Sequence, residues 1–132
     1  MTYPDDFVNK IINADCLEVM KQMPDKCVDL VLTDPPYGIT TQKWDILPNW
    51  EVWGKEVSRI LKDDGNVFVF GMQPTLSAMV VSLLKFWRFR DEIVWFYRDG
   101  VAGNTKGNGL NNCHQNCAWF SNGKNKINIE YI

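Results

Sequence analysis

The sequence predicts an α/β fold, a doubly wound and mostly parallel sheet. Apolar runs typical of strands alternate with segments that have helical spacing. One run, CVDLVLTD at 27–34, is nearly continuous in aliphatic residues, which is typical of a parallel strand covered on both faces. Two runs end in an acid, at Asp15 and Asp34. Because such sheets bind ligands beyond the carboxyl ends of their strands, we expect both acids on one functional edge.

The first elements form a predicted strand–helix–strand unit. VNKIINAD, residues 8–15, reads as a short buried strand. CLEVMKQMP, residues 16–24, follows as a two-turn helix closed by Pro24. The strand 27–34 completes a unit whose crossover is right-handed by default.

The middle of the chain predicts a long helix and a strand. NWEVWGKEVSRILKDDG, residues 49–65, has apolar residues at helical intervals and a glycine stop at Gly65. Its tryptophans are expected to face the core. NVFVFG, residues 66–71, is the next strand. The apolar positions of the helix are Trp50, Trp53, Val57, Ile60 and Leu61.

The last third predicts one helix, two strands and a loop. The helix is TLSAMVVSLLK at 75–85, and the strands are FRDEIVWFY at 89–97 and NCAWFSN at 116–122. Residues 98–112 contain four glycines and predict a long mobile loop. Trp87, just before the first of these strands, is expected in the core with Arg88 and Arg90 at a solvated edge; a basic-aromatic patch formed by the three residues is the alternative. We find no repeat and no domain boundary, so residues 1–132 form one predicted domain.

Composition excludes several classes of protein. The 132 residues are 45% hydrophobic and 23% charged, which is ordinary for a globular domain. No apolar run approaches the length of a membrane span and no signal-like segment begins the chain, so we expect a cytoplasmic protein with free thiols at its four cysteines. A net charge of −2 gives no global attraction to nucleic acid, so DNA binding would need a local basic patch or a partner.

The stretch VDLVLTDPPYG ends a strand in an unusual way. Pro35 and Pro36 have a fixed φ and no N–H, so the turn is stiff and its carbonyls lack local donors. Asp34 adds a carboxylate and Tyr37 adds a flat ring on which a base can stack. Acceptors beside a ring suit methylation of an exocyclic amino group, because they orient its lone pair toward an electrophilic methyl group. A plain strand stop remains the alternative for Asp-Pro-Pro alone.

A family resemblance rests on the tetrapeptide DPPY and on three stretches around it: INADCLEVM and PDKCVDLVLT before it, and ITTQKWD after it. The chain resembles the amino-directed DNA methyltransferases, in the permuted subgroup that places this tetrapeptide early, and is similar to phage members. The resemblance implies a Rossmann-like fold, S-adenosylmethionine as cofactor, and double-stranded DNA as partner with the target base flipped out. An aspartate at the head of the tetrapeptide favours adenine N6 over cytosine N4.

The resemblance also implies residue roles. The catalytic motif would be Asp34, Pro35, Pro36 and Tyr37: the acid and the first proline carbonyl hold the amino group, and the ring stacks on the base. Asp34 would also border the cofactor.

A second pair of residues is implied at the cofactor. The acid of the preceding strand usually meets the adenosine end, which points to Asp15 with Cys16 beside it. Asp15 has an alternative interpretation as the N-cap of the following helix, which is compatible with cofactor contact.

Two features depart from the family pattern. The glycine-rich turn that cradles the cofactor does not occur before Ile132, so we expect a domain incomplete relative to a full methyltransferase. His114 is followed by Gln115 where the family often has His-Glu. The alternative hypothesis is therefore a non-catalytic remnant, or an accessory half-domain that needs a complementary partner. An incomplete sheet would also expose an edge, which makes a homodimer plausible.

The cluster Cys113, His114 and Cys117 raises the question of a metal. Three ligands within five residues, without a second cluster, do not match the paired spacing of structural zinc sites. We therefore expect no metal, with a loop cysteine followed by a buried strand cysteine. The glycines of the 98–112 loop do not form a phosphate-binding motif, although Asn104, Lys106 and Asn108 could contact a DNA backbone.

Overall fold

A computed structural model of the chain describes residues 1–97 and 113–123. The loop predicted at 98–112 lies outside the described residues, so it remains a prediction. Within the described part, no helix has both the length and the apolar character needed to cross a membrane. The elements are α1 (Cys16–Met20), β1 (Val28–Thr33), α2 (Trp50–Ile60), β2 (Leu61–Gly71), α3 (Thr75–Leu83), β3 (Arg88–Phe96) and β4 (His114–Ser121).

The described strands form one sheet in the order β1-β2-β4-β3. β1 and β2 pair in parallel, and β4 is antiparallel to both β2 and β3. β1, β2 and β3 therefore run in the same direction and β4 is reversed. The α/β class is confirmed. The sheet is mixed because the reversed strand lies between two parallel ones, so that only the β1–β2 ladder is parallel.

The predicted strand at 8–15 is wrong. Residues 3–9 form turns, and residues 10–13 pair with no strand of the described sheet. Ile11 is fully exposed and Val8 is about half exposed. A strand requires a neighbour whose backbone groups complete its hydrogen bonds, and an apolar run by itself does not supply one.

Helix α2 begins as predicted and ends earlier than predicted. The Asn49 side chain caps it by accepting hydrogen bonds from the amides of Glu51 and Val52. The chain turns extended at Leu61, where it aligns with Val28 of β1. Pairing with β1 thus begins β2 before Gly65, the residue that sequence alone indicated as the helix stop. Helix α3 and strands β1, β3 and β4 lie within two residues of their expected bounds, whereas α1 ends at Met20, four residues before the expected end at Pro24.

One face of the sheet packs against the helices and forms the core. Phe120, Val67 and Val69 from the sheet are fully buried together with Leu83 of α3. Trp53 and Trp87 meet edge to face with their ring centroids 6.2 Å apart. Because both rings are buried, the core prediction is confirmed for these two tryptophans. The arginines beside Trp87 are exposed, as expected.

The opposite face, called here the open face, carries apolar side chains without a cover among the described residues. Leu30 and Leu32 of β1 and Ile93 and Trp95 of β3 are all roughly half exposed or more. The register places Leu32 beside Phe68, on the same face. Helices α1, α2 and α3 all contribute to the core of the other face, so the second layer of a doubly wound fold is not seen in the described part of the chain.

Candidate functional site

The site is built where β1 ends and the residues Asp34 to Tyr37 form a turn, called here the 34–37 turn. Thr33, the last residue of β1, aligns with Val69 of β2. The prolines and Tyr37 are half-buried, and with Leu76 and Met79 they border a gap of only about 10 Å³. This close packing against α3 adds to the stiffness that two consecutive prolines give the backbone.

A hollow of about 520 Å³ opens in front of this turn. It is called here the first hollow. Its walls come from the turn itself and from the segment that follows it, which includes the exposed Trp44. The hollow therefore combines two carboxylates, two proline rings and two aromatic side chains within reach of one small planar molecule. The lining residues are Asp34, Pro35, Pro36, Tyr37, Ile39, Thr40, Trp44 and Asp45.

Asp45 fixes the far wall of the first hollow. Its carboxylate accepts hydrogen bonds from the amides of Gly38, Ile39 and Thr40, at 2.8, 2.9 and 2.6 Å. Gly38 has φ of +66°, a conformation that glycine adopts readily. The Thr40 side chain and these amides lower the pKa of Asp45 to about 2 against the opposing effect of burial, so the carboxylate is ionised at neutral pH. The sequence analysis quoted Trp44 and Asp45 only as part of the stretch ITTQKWD and did not predict this role. The signal in the sequence was an aspartate that follows the three amides it binds by five to seven residues.

The Asp34 carboxylate is hydrogen-bonded to other side chains at the edge of the hollow. The Tyr37 hydroxyl donates a hydrogen bond to Oδ1 of Asp34, and the Gln115 side-chain amide donates to the Tyr37 oxygen. The same amide lies 3.4 Å from Oδ1 of Asp34. The Tyr97 hydroxyl in turn donates to Oε1 of Gln115 at 2.6 Å. Sequence reasoning singled out Gln115 only as a departure from a pattern and did not find Tyr97.

Tyr37 stays protonated in this arrangement. Burial raises the pKa of its hydroxyl, and the hydrogen bond to the Asp34 carboxylate raises it further. The phenol is therefore a hydrogen-bond donor at neutral pH, and its ring remains available for stacking.

A second hollow of about 290 Å³ lies on the other side of the same carboxylate. Its lining is Asp34 and Gln115 with the aromatic rings of Phe70, Trp95 and Tyr97. Phe70 and Trp95 are 6.2 Å apart between ring centroids, and Trp95 is largely exposed on the open face. Asp34 thus stands between two cavities, each with aromatic surface.

Asp15 and Cys16 are placed differently from the expectation. Asp15 follows no strand; its Oδ1 accepts hydrogen bonds from the amides of Leu17 and Glu18, at 2.8 and 3.3 Å. The N-cap interpretation is therefore confirmed, and the idea of two acids following two strands is wrong for Asp15. Cys16 is exposed overall, but partial desolvation of its sulfur, together with the nearby Asp15 charge, raises the pKa of its thiol. None of the hydrogen bonds among the described residues joins either residue to the 34–37 turn.

The cysteines are free thiols, as expected. Cys113 is exposed immediately before β4 and Cys117 is buried within it, which confirms the loop-then-strand reading. Among residues 1–97 and 113–123, no group of three or more His, Cys, Asp or Glu side chains could hold a metal ion.

Taken together, the turn offers acceptors, a ring and a neutral phenol. None of these groups is a strong base, so the chemistry that fits is the orientation of a planar molecule carrying an amino group rather than proton abstraction.

Comparison with known proteins assigns the chain to a family. Residues 28–132 match the family model described as DNA methylase, of the N6/N4 type. The chain belongs to the N6/N4 DNA methylase family. Among curated proteins it is 29% identical to the Type II methyltransferase M.HinfI of Haemophilus influenzae, over 96% of this chain and 42% of that protein. The chain thus spans less than half the length of this relative.

Solved structures support the fold. The structure of an M1.HpyAVI–SAM complex superposes with a TM-score of 0.66 at 19% identity, over 92% of this chain and 60% of that one. The PvuII DNA methyltransferase, described as cytosine-N4-specific, superposes with a TM-score of 0.65 at 18% identity, over 85% of this chain and 48% of that one. The family resemblance is therefore confirmed, and the cofactor expected for the family is present in a structural neighbour. The permuted order, the phage-like character and the incomplete domain remain predictions.

Proposed function

We propose that this chain is the target-base portion of an S-adenosylmethionine-dependent DNA methyltransferase, with residues 1–132 forming part of one domain. The observation that carries the proposal is the Asp34 carboxylate beside the Tyr37 ring at the mouth of a 520 Å³ hollow, directly after a sheet strand. The membership of the chain in the N6/N4 DNA methylase family supports it.

In the proposed reaction, the chain positions an extruded base. Tyr37 stacks on the ring, which is worth about 1–3 kcal/mol per base in proteins that use such contacts. Asp34 and the Pro35 carbonyl accept the two hydrogens of the amino group and direct its lone pair outward. The cofactor supplies an electrophilic methyl group. After the new N–C bond forms, the methylated nitrogen releases one proton to solvent, and the remaining contribution of this chain is orientation by groups already held in place.

The residues present fit the cofactor only in part. Asp15 is exposed, and both of its hydrogen bonds end on Oδ1, which leaves Oδ2 for a ribose hydroxyl. Cys16 lies next to it. We propose that Asp15, Cys16 and Asp34 border the cofactor, and that further binding groups come from outside the described residues.

Adenine N6 is the proposed target. An aspartate at the head of the tetrapeptide favours it, whereas a structural neighbour is described as cytosine-N4-specific. Digestion of the methylated DNA and mass spectrometry of the nucleosides distinguishes N6-methyladenine from N4-methylcytosine. Double-stranded DNA is the proposed substrate, and a cytoplasmic location in a bacterial or phage-infected cell remains a prediction.

The alternative proposal is a non-catalytic remnant or accessory half-domain that acts with a complementary chain or as a homodimer. The uncovered open face favours it, because large exposed apolar patches mark contact surfaces.

Calorimetric titration of the purified chain with S-adenosylmethionine, followed by a methyl-transfer assay on unmethylated DNA, separates the two proposals. Binding in the micromolar range with transfer supports the enzyme. An absence of heat and of transfer supports the accessory role.

A further inference from the structure

Four side chains from three parts of the fold form one hydrogen-bonded group around the candidate catalytic acid. Asp34 and Tyr37 come from the 34–37 turn, Tyr97 from the end of β3, and Gln115 from β4. We propose that Tyr97 and Gln115 are positioning residues that hold the Tyr37 hydroxyl on Oδ1 of Asp34, so that an entering amino group accepted by this oxygen must replace the hydroxyl. The inference rests on the proposed function.

The sheet fixes where Tyr97 and Gln115 lie. Gln115 aligns with Trp95 across the antiparallel β3–β4 pair. The Tyr97 amide continues the ladder by donating to the Cys113 carbonyl at 2.7 Å. Tyr97 and Gln115 are therefore diagonal neighbours on one face of the pair, close enough for their side chains to meet. Their contact follows from backbone register and does not depend on a ligand.

The numbers of donors and acceptors on these four side chains allow one consistent pattern of hydrogen bonds. A carboxylate only accepts, and a phenol donates one proton. Because the Tyr37 proton goes to Asp34, the Tyr37 oxygen accepts from Gln115, which must present its NH₂ end. The other end of Gln115, Oε1, then accepts the proton of Tyr97. Turning the amide over would place Oε1 against the Asp34 carboxylate and leave the Tyr97 proton without this acceptor.

The Oδ1 oxygen of Asp34 is therefore occupied before any base arrives. Its Oδ1 receives the Tyr37 hydroxyl and lies 3.4 Å from the Gln115 amide. A base entering the first hollow brings an amino group, which in this proposal is accepted by the same Oδ1. Binding exchanges one donor for another, and the Gln115 amide, held by Tyr97, keeps the carboxylate oriented during the exchange.

The first test measures the Gln115 side-chain amide by NMR, with its signal assigned from Gln115→Leu. Tyr97→Phe is expected to shift this signal and to increase the solvent exchange of its hydrogens by about tenfold, since one anchor is lost. Tyr3→Phe is the matched control, because the Tyr3 hydroxyl donates to the Cys27 carbonyl away from the site. An unchanged Gln115 signal in a folded Tyr97→Phe variant overturns the inference.

The second test measures the affinity for deoxyadenosine monophosphate. Tyr37→Phe keeps the ring and removes the competing hydroxyl, so it is expected to bind about fivefold more tightly than the wild-type chain. Equal or weaker binding overturns the inference. If neither protein binds the nucleotide while Tyr97→Phe still alters the Gln115 signal, the proposed function fails for this chain. The exchange at Asp34 then fails with it, although the hydrogen-bonded group itself is present.

Discussion

The two faces of the described sheet differ in how far their apolar side chains are buried. On the face covered by the helices, Leu83 of α3 and Phe120 of β4 are fully buried. On the open face, Leu32 is 64% exposed and Trp95 is 59% exposed. The candidate site lies where these faces meet, at the end of β1. The covered face supplies the rigidity of the site, and the open face leaves one side of Asp34 accessible.

The largest expected effect is the difference in the free energy of unfolding between a leucine-to-alanine substitution on the covered face and one on the open face. Leu83→Ala is expected to lower the free energy of unfolding by about 3 kcal/mol, because it leaves a cavity in the core. Leu32→Ala should lower it by less than about 0.5 kcal/mol, because the side chain is already largely in water. Urea denaturation of both variants measures the two values. Equal losses would mean that the open face is covered in solution.

The second prediction concerns how much the ionised Asp45 carboxylate in the wall of the first hollow stabilises the fold. Its pKa is about 2 in the folded chain, below the ordinary value of 3.8, so the ionised form stabilises the fold. This contribution is complete above about pH 4 and is lost as the pH falls toward 2. Asp45→Asn should therefore unfold more easily at neutral pH and lose less further stability on acidification than the wild-type chain.

The measurement is urea denaturation at several pH values between 2 and 7. Asp64→Asn is the matched control, because Asp64 is exposed. If the wild-type chain and Asp45→Asn show the same dependence on pH, the carboxylate does not hold the segment as described.

Leu32→Lys is expected to change stability as little as Leu32→Ala does. The free energy of unfolding should change by no more than about 0.5 kcal/mol, because the position is on the surface. Binding of a hydrophobic fluorescent dye such as ANS should decrease, because the substitution interrupts the apolar patch. Val81→Lys, at an exposed position of α3, is the control for added charge. Unchanged dye binding in Leu32→Lys would show that the open face is not the apolar surface that the dye detects.

Local patterns were sufficient for most elements of the fold. The aliphatic run of β1, the apolar helix α3 and the β-rich runs of β3 and β4 all lie close to where the sequence predicted them. The 34–37 turn was also predicted, because prolines restrict the backbone whatever surrounds them. These features depend on residues that are neighbours in the chain.

Features that depend on distant residues were missed. The segment at 8–15 has the composition of a strand without a partner, and α2 ends early because Leu61 pairs with β1. The reversed direction of β4 likewise depends on its pairing with β2 and β3, which are distant in the sequence from one another. The hydrogen bond between Gln115 and Tyr37 joins residues 78 positions apart, which no local pattern can indicate.

We propose above that Asp34 holds the amino group of the target base. The most direct measurement is methyl transfer to unmethylated DNA by a chimera in which this chain replaces the matching part of M.HinfI, compared with the same chimera carrying Asp34→Asn or Asp64→Asn. We expect Asp34→Asn to lower the rate by about a hundredfold or more, because the ionised carboxylate stabilises the transition state, and Asp64→Asn to leave it unchanged. Transfer by Asp34→Asn at the unsubstituted rate would show that Asp34 does not hold the amino group.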